Sequence, residues 1–288
     1  MHVSLVGSEM CIRDRATLAY SAMLEAREEY SEATLWREKA QELKRYFNED
    51  WSIVDPNKPL ENYVNIVQKD GLRLNDFGKE NSWFMPMKLI TEPGERNNRY
   101  LDFIANNLGD GIGSTPEAPN NIEAYTYIPE TYFPYNRNAE AWKWMQYIMD
   151  TKDEPHERPT QGTNGDYPEI SFTFISNTIE GLMGIKPNAA EHRVTTASHL
   201  TSDIEWLSVD QLPMGEHELT LRHDGLTKST LTNRSEHALE WEAWFYGDYP
   251  TLIVDGQAIR SQKKQVNGQQ VSYVTVSIAK NSTRVIEK

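Results

Sequence analysis

The stretch ISFTFISNTIEGLMGIKPN, Ile170 to Asn188, divides the sequence into two parts of different type. Its apolar residues recur at helical spacing as far as Met183, and Gly184 is placed as the stop at the carboxyl end of that helix. Beyond Asn188 apolar and polar residues alternate, as in LEWEAWF, Leu239 to Phe245, which is the period of a β-strand. The sequence therefore predicts a helical part followed by a strand-rich part, with a boundary near residue 190.

Helical patterns fill the sequence before this stretch. In the helix that Ser31 is placed to cap, an apolar stripe is formed by Trp36, Ala40, Leu43 and Phe47. Further helices are predicted at Ser82–Ile90, Glu95–Leu108 and Asn138–Asp150. Long loops are predicted from Trp51 to Asn81 and from Gly109 to Tyr135, and loops on a rigid scaffold are where functional sites are usually built.

Turn signals mark the strand-rich part, which covers residues 191–288. Dipeptides typical of hairpin turns occur at Asp224-Gly225, Asp255-Gly256 and Asn267-Gly268. Several short antiparallel strands are therefore expected to form a small β-sandwich. Trp241 and Trp244 are candidate platforms for a ligand, but their spacing places them on opposite faces of one strand, so at least one is expected in the core.

The first 15 residues do not continue the helical pattern. VSLVGSEMCIRDR, Val3 to Arg15, resembles a translated sequencing-adapter artefact, so residues 1–15 are interpreted as a non-native segment. They hold the single cysteine, Cys11, and the remaining sequence has no thiol for disulfides or cysteine catalysis. Any signal peptide is expected upstream of this segment.

Composition argues against several classes of partner. The sequence has 29 Lys and Arg against 43 Asp and Glu, a net charge of -14, and no basic run, which disfavours nucleic acid and anionic membranes. No stretch approaches the roughly 18 apolar residues of a membrane span. The 8 Trp, 14 Tyr and 8 Phe suit a sugar ligand, although most are expected in the core. The 7 histidines show no paired ligand spacing such as HExxH, so no metal and no cofactor are predicted.

The densest group of ionisable residues is HERPTQGTNGDYPEIS, His156 to Ser171. Its charged and titratable members are His156, Glu157, Arg158, Asp166 and Glu169. Glycoside hydrolysis needs one carboxylic acid to protonate the leaving oxygen and a carboxylate to activate water or attack the sugar. The three carboxylates are therefore candidate catalytic residues. A solvated connector is the alternative interpretation of such a loop.

A second segment, NIEAYTYIPETYFPYNRNAEAW from Asn121 to Trp142, is rich in aromatic and acidic residues. Tyrosine offers both a ring for stacking and a hydroxyl for hydrogen bonds, which suits a sugar-binding mouth. The candidate substrate-binding residues are Glu123, Tyr125, Tyr127, Glu130, His156 and Arg158. Core packing is the alternative explanation for about half of the tyrosines.

Taken in order, the aromatic segment, HERPTQG at residues 156–162 and the helix Ile170–Ile185 resemble the end of the six-hairpin glycosidases. This superfamily has an (α/α)6 toroid and includes trehalases, mannosyl-oligosaccharide glucosidases and α-L-rhamnosidases. The resemblance implies that residues 16–190 are the C-terminal part of such a toroid. The sequence Leu200–Gly225 is similar to the β-sandwich that often closes these enzymes.

The resemblance also implies roles for the loop residues. In several of these enzymes a Glu that precedes Pro and Thr-Gly is the general base, which points to Glu157, followed here by Pro159, Thr160 and Gly162. Arg158 stands where the family usually has an aromatic residue, so Asp166 and Glu169 stay as substitutes for the base. The family's general acid lies on an earlier hairpin, and the fragment is expected to lack it and to be inactive alone.

The sequence thus predicts an inverting glycoside hydrolase that acts on an oligosaccharide or a terminal glycosidic bond. One alternative is a polysaccharide lyase, in which His156, Arg158 and a loop tyrosine remove a proton beside a uronic acid, although crowded carboxylates disfavour binding of an acidic sugar. Another is a non-catalytic carbohydrate-binding module. In each case the expected partner is an oligosaccharide or polysaccharide, and the acidic, cysteine-poor composition favours a periplasmic or secreted protein.

Overall fold

The computed structural model describes residues 5–55, 57, 61–68, 70–75, 77 and 81–288, with backbone alone for 5–14 and 81. The chain forms two compact units. The first comprises residues 1–131 and 151–164, and the second comprises residues 132–150 and 165–288. The predicted order of helices followed by strands is confirmed. The predicted bounds 1–15, 16–190 and 191–288 stay a prediction, and residues 1–4 lie outside the described residues.

The first unit begins with a short strand and a helical hairpin. Strand β1 (Leu5–Val6) pairs with β2 (Ile66–Val67), which pairs with β3 (Arg73–Leu74). Helix α1 (Gly7–Ala26) and helix α2 (Tyr30–Tyr46) pack against each other. A buried side-chain hydrogen bond, from Ser21 Oγ to the Ala33 carbonyl oxygen at 2.7 Å, joins the two helices.

The apolar stripe of α2 is confirmed, whereas its predicted cap is wrong. Ala40 and Phe47 are buried, and Trp36 and Leu43 are half-buried. The helix begins at Tyr30, so Ser31 lies inside its first turn, and the side chain of the N-cap residue, Glu29, makes no capping hydrogen bond. Burial of the stripe, rather than a cap, therefore accounts for this helix.

Two helices follow at the predicted places. Helix α4 (Glu95–Leu108) has the predicted bounds. Helix α3 (Asn81–Met87) ends before the predicted Ile90, because Leu89 adopts a left-handed φ of 60° that a right-handed helix does not allow. Pro86, which has no backbone N–H, lies inside this helix.

The two predicted loops contain regular structure. Residues 109–135 include helix α5 (Ile122–Thr126) and helix α6 (Ile128–Tyr132), so the interpretation of this segment as a loop is wrong there. Asn121 caps α5, since its Oδ1 accepts a hydrogen bond from the Glu123 backbone N–H at 2.8 Å. The loop predicted from Trp51 to Asn81 contains β2 and β3, and residues 56, 58–60, 69, 76 and 78–80 of it lie outside the described residues.

The second unit contributes two helices before its strands. Helix α7 (Asn138–Asp150) has the predicted bounds. Helix α8 (Pro168–Ser176) begins slightly before the predicted Ile170 and continues into a wider helical turn, Asn177–Leu182. Gly184 ends this run with a φ of 54°, which confirms it as the stop.

Two sheets make up the rest of the second unit. A six-stranded sheet has the order β11-β10-β14-β8-β7-β6, and a five-stranded sheet has the order β12-β13-β9-β5-β4. The strands are β4 (Lys186–Asn188), β5 (Arg193–Ala197), β6 (Trp206–Met214), β7 (His217–Asp224), β8 (Lys228–Asn233), β9 (Leu239–Tyr246), β10 (Thr251–Val254), β11 (Gln257–Arg260), β12 (Gln262–Val266), β13 (Gln269–Ile278) and β14 (Ser282–Glu287). One pairing departs from the antiparallel prediction: β5 and β9 run parallel, with Val194 opposite Trp241.

The two sheets share one apolar core. Leu221 and Leu231 of the larger sheet and Trp241 and Val274 of the smaller sheet belong to a single cluster of buried side chains. Each sheet thus buries one face, as in a β-sandwich.

Turns and one irregularity shape the strands. The predicted hairpin turns at Asp255-Gly256 and Asn267-Gly268 are confirmed, because both residues of each pair have the positive φ of a type I′ turn. The edge strand β6 carries a bulge, where its register with β7 shifts between Val209 and Leu212 and the intervening Gln211 has a φ of 55°.

Among the described residues, no helix has the length and apolar character to span a membrane.

Candidate functional site

Residues 151–164, in the first unit, form a loop that its own backbone closes at the base. The His156 N–H donates to the Gly162 carbonyl oxygen at 3.0 Å, and the Asn164 N–H donates to the Glu154 carbonyl oxygen at 2.9 Å. The Asn164 side chain adds a buried bond from Nδ2 to the Thr151 carbonyl oxygen at 2.9 Å. These bonds join the two arms of the loop, whose tip carries Glu157.

Glu157 lies at this tip beside Arg158 and a buried histidine. The side chain of Glu157 keeps 28% of its accessible surface, and its Oε1 lies 3.7 Å from Arg158 Nε. His156 is buried, and its Nδ1 accepts a hydrogen bond from the Arg158 backbone N–H at 2.9 Å. His156 therefore fixes the backbone that presents Glu157 and Arg158, and the carboxylate stays open to solvent.

The other two candidate catalytic residues belong to the second unit. Asp166 is exposed at the end of a short 3-10 turn, Asn164–Asp166. Glu169 lies in the first turn of α8, and its Oε2 accepts a hydrogen bond from the Tyr167 hydroxyl at 3.2 Å. An acidic residue in a first helical turn also complements the helix dipole, which is a structural role for Glu169. The roles of Glu157, Asp166 and Glu169 in catalysis stay predictions.

Two candidate substrate-binding residues contact helix α3 and the residue that follows it. The ring of Tyr127 meets the ring of Phe84 edge to face, with 5.3 Å between ring centres. Glu130 Oε1 lies 3.1 Å from Lys88 Nζ, one helical turn beyond Phe84. The structure therefore brings Tyr127 and Glu130 together, and it adds Lys88, which the sequence analysis did not single out. The signal for Lys88 was its spacing of four residues from Phe84.

The remaining candidates of this segment have structural partners. Glu123 is half-buried and its Oε2 lies 3.3 Å from Nδ2 of the capping Asn121. Tyr125 is fully buried, and its hydroxyl donates to the Pro119 carbonyl oxygen at 2.9 Å. The ring of Tyr125 therefore has no surface on which a sugar can stack.

The two tryptophans singled out in the sandwich do lie on opposite faces of β9. Trp241 is fully buried, and its Nε1–H donates to Thr196 Oγ1 at 2.9 Å, which confirms that one of the pair is core. Trp244 faces the other way and is covered by Lys264, whose Nζ lies 3.9 Å from the ring centre. The tryptophan that stays half exposed is Trp206 on β6, which the sequence analysis did not single out.

Within the described part of the chain, no group of three or more His, Cys, Asp or Glu side chains is arranged to hold a metal ion.

Comparison with known proteins finds similarity at the level of fold. No protein-family model matches the sequence, and neither does any curated protein. Among solved structures, the α-L-rhamnosidase from Dictyoglumus thermophilum aligns over 96% of this chain with a TM-score of 0.56 and 12% identity. A GH78 family rhamnosidase of Bacillus sp. GL1 aligns over 75% of this chain with a TM-score of 0.51 and 15% identity. The chain spans 31% of the first protein and 22% of the second.

Proposed function

We propose that this chain forms part of a glycoside hydrolase that acts on α-L-rhamnosides, with Glu157 as the general base. The observation that carries the proposal is the closed loop of residues 151–164, which presents a solvent-accessible carboxylate from a hydrogen-bonded frame. A general base acts efficiently only when it is held in a productive position. The substrate class comes from the two rhamnosidase structures that the fold resembles.

The same proposal covers the domain organisation. We interpret residues 16–190 as part of an (α/α)6 toroid and residues 191–288 as the sandwich domain that follows it. The packed pair α1 and α2, joined by Ser21 and Ala33, supports this because helical hairpins are the repeating element of such a toroid.

In the proposed reaction, Glu157 removes a proton from water while the water oxygen attacks the anomeric carbon. The glycosidic C–O bond breaks, and its electron pair stays on the leaving oxygen, which takes a proton from a second carboxylic acid. The resemblance implies that this acid lies on an earlier hairpin. Attack from the face opposite the leaving group inverts the anomeric configuration. Arg158 places a positive charge beside the base.

The test uses α-L-rhamnosyl fluoride, because fluoride leaves without being protonated and the assay then needs no general acid. We expect the 288-residue chain to release fluoride, and Glu157→Gln to slow release by about 10²–10⁴-fold. The matched control is Glu154→Gln, which removes an exposed carboxylate of the same loop and should keep the wild-type rate. Proton NMR of the first product gives the anomer and tests inversion.

Other outcomes would assign the base to a different residue or overturn the proposal. Loss of activity in Asp166→Asn or Glu169→Gln, with Glu157→Gln unimpaired, moves the base to that residue. No fluoride release above the uncatalysed rate overturns the proposal. Release of unsaturated uronides from an acidic polysaccharide replaces it with the lyase.

A further inference from the structure

Trp206 begins strand β6, at the open edge of the six-stranded sheet. Half of its surface, 50%, stays accessible, whereas Trp241 is buried in the core and Trp244 is covered by Lys264. Among the tryptophans of the described residues, Trp206 is the one that stays exposed, and an aromatic ring open to solvent offers a surface on which a ligand can stack.

The indole of Trp206 is held in a fixed orientation. The guanidinium carbon of Arg222, on the neighbouring strand β7, lies 4.1 Å from the ring centre. Arg222 is itself held by Asp224, whose Oδ1 accepts hydrogen bonds from Nε at 2.8 Å and from Nη2 at 2.6 Å. The stacked guanidinium covers one side of the ring, so the accessible half lies away from Arg222. A ring fixed in advance loses little entropy when a ligand stacks on it.

Polar side chains lie beside the ring on the same face of the sheet. The strand register places Asp224 opposite Trp206, Ser208 opposite Arg222, and Thr230 beyond Arg222 on β8. The alternate residues of β7, including Leu221, point into the core instead.

An aromatic ring beside hydroxyls and charged side chains of both signs offers the groups that bind a sugar. The apolar C–H face of a pyranose stacks on the ring, and its hydroxyls exchange hydrogen bonds with the side chains around it. The core of a protein–protein interface would instead be more apolar and depleted in charge.

We propose that this face, defined by Trp206, Ser208, Arg222, Asp224 and Thr230, binds a pyranose ring of an oligosaccharide. The C–H face of the sugar stacks on the side of the indole that Arg222 leaves open, and polar side chains at the rim of the ring, Asp224 among them, exchange hydrogen bonds with sugar hydroxyls. The site lies wholly in the second unit and shares no residue with the Glu157 loop. The choice of a sugar as ligand rests on the proposed glycosidase function.

The experiment follows the indole N–H resonances of the full chain by two-dimensional ¹H–¹⁵N NMR. Methyl α-L-rhamnopyranoside, rhamnobiose, cellobiose and galactobiose are titrated separately, and Trp206→Phe assigns the Trp206 signal. We expect that signal to shift and saturate with at least one sugar. The buried Trp241 signal should stay in place, which makes it an internal control.

Two variants test the geometry. Trp206→Ala should weaken binding of the responsive sugar by about tenfold or more, because it removes the central ring of the site. Arg222→Met keeps an apolar side chain against the ring but loses the hydrogen bonds to Asp224. It should therefore weaken binding less than Trp206→Ala does. The backbone amide spectrum of each variant checks that the fold is retained.

Absence of a Trp206 shift with all four sugars at their solubility limits overturns the inference. A shift that follows protein concentration rather than sugar concentration also overturns it, since the face then contacts a second copy of the chain. Fluoride release from rhamnosyl fluoride is a separate readout. If rhamnosyl fluoride is cleaved but the Trp206 signal does not shift, the sugar-binding inference is wrong and the catalytic proposal stands. If the Trp206 signal shifts and saturates but no fluoride is released, the catalytic proposal is wrong and the sugar-binding inference stands.

Discussion

Nε2 of His223, on strand β7, lies 3.0 Å from the backbone carbonyl oxygen of Met183, at the end of the helical run that α8 begins. A carbonyl only accepts, so this nitrogen carries the proton. His199 makes the matching contact, with its Nδ1 2.7 Å from the Gly181 carbonyl oxygen. Two buried, neutral histidines therefore donate to carbonyl groups at the end of this helical run, and the Gly181 carbonyl oxygen also accepts from the Gly184 N–H at 3.0 Å.

Burial is the largest influence on these imidazoles, and it lowers the pKa of His199 and of His223 from 6.5 to about 4. Above pH 6.5 both are neutral in the folded and unfolded chain, so they cause no pH dependence. As the pH falls from 6.5 to about 4, the unfolded chain binds protons that the folded chain excludes, and stability is lost. We expect a loss of about 3 kcal/mol per histidine by pH 4.

Urea unfolding at pH 7 and at pH 4.5 measures this loss. His199→Gln and His223→Gln keep a donor for the carbonyl oxygen but cannot titrate, so each should reduce the difference in unfolding free energy between the two pH values. An unchanged difference in both variants would show that the acid sensitivity comes from carboxylates alone.

Gly184 and Gly225 offer a matched pair for backbone strain. Their φ angles are 54° and 51°, but a Cβ on Gly184 would lie 2.0 Å from the Ala197 carbonyl oxygen, whereas a Cβ on Gly225 meets nothing within 4 Å. Gly225→Ala should cost about 1–2 kcal/mol for the left-handed backbone alone. Gly184→Ala should cost several kcal/mol more, because the clash with backbone forces the chain to shift. Thermal unfolding compares the two, and equal costs would contradict the packing seen at Gly184.

Arg96 donates hydrogen bonds to carbonyl groups of the segment that follows α2. Its Nη1 donates to the Asn48 carbonyl oxygen at 2.9 Å, its Nη2 donates to the Ser52 carbonyl oxygen at 2.7 Å, and the guanidinium stacks 3.8 Å from the centre of the Tyr63 ring. Arg96→Lys keeps the charge but loses the planar fork, so it should cost about 2 kcal/mol of stability.

The control for this change is Arg99→Lys on the same helix, where the arginine forms an exposed ion pair with Glu95. It should change stability by less than about 0.5 kcal/mol. Chemical unfolding followed by circular dichroism at helical wavelengths measures both variants. A cost for Arg96→Lys no larger than that of the control would rule out a stabilising role for these hydrogen bonds of Arg96.

Long periodic segments were predictable from the sequence, and short or non-local features were not. The bounds of α4 and α7 follow from apolar spacing sustained over several turns. Helices α5 and α6 are too short for a periodic signal, so the sequence predicted a loop for residues 109–135. The parallel pairing of β5 with β9 joins segments far apart in the chain, and turn signals identify only strands that are neighbours in sequence.

In the candidate site, too, local features were predictable from the sequence and features that depend on the whole fold were not. The loop around Glu157 was found because its charged residues stand close together in sequence, and its backbone bonds could not be read from composition. Tyr125 was predicted to bind substrate, but it is buried and its hydroxyl donates a hydrogen bond to the Pro119 carbonyl oxygen. Trp206 was missed because exposure depends on which strand forms the sheet edge, and strand order is a property of the whole fold.

The bulge in β6 interrupts the regular backbone of a strand at the open edge of the six-stranded sheet. An edge strand presents a row of backbone N–H and C=O groups on which another chain can add as a further strand, and repeated addition leads to fibrils. The left-handed Gln211 and the shifted register interrupt that row, and Pro213 has no N–H to offer. Deletion of Gln211 removes the bulge and should therefore let other chains add strands at this edge. We expect thioflavin-positive aggregates in concentrated samples of that variant.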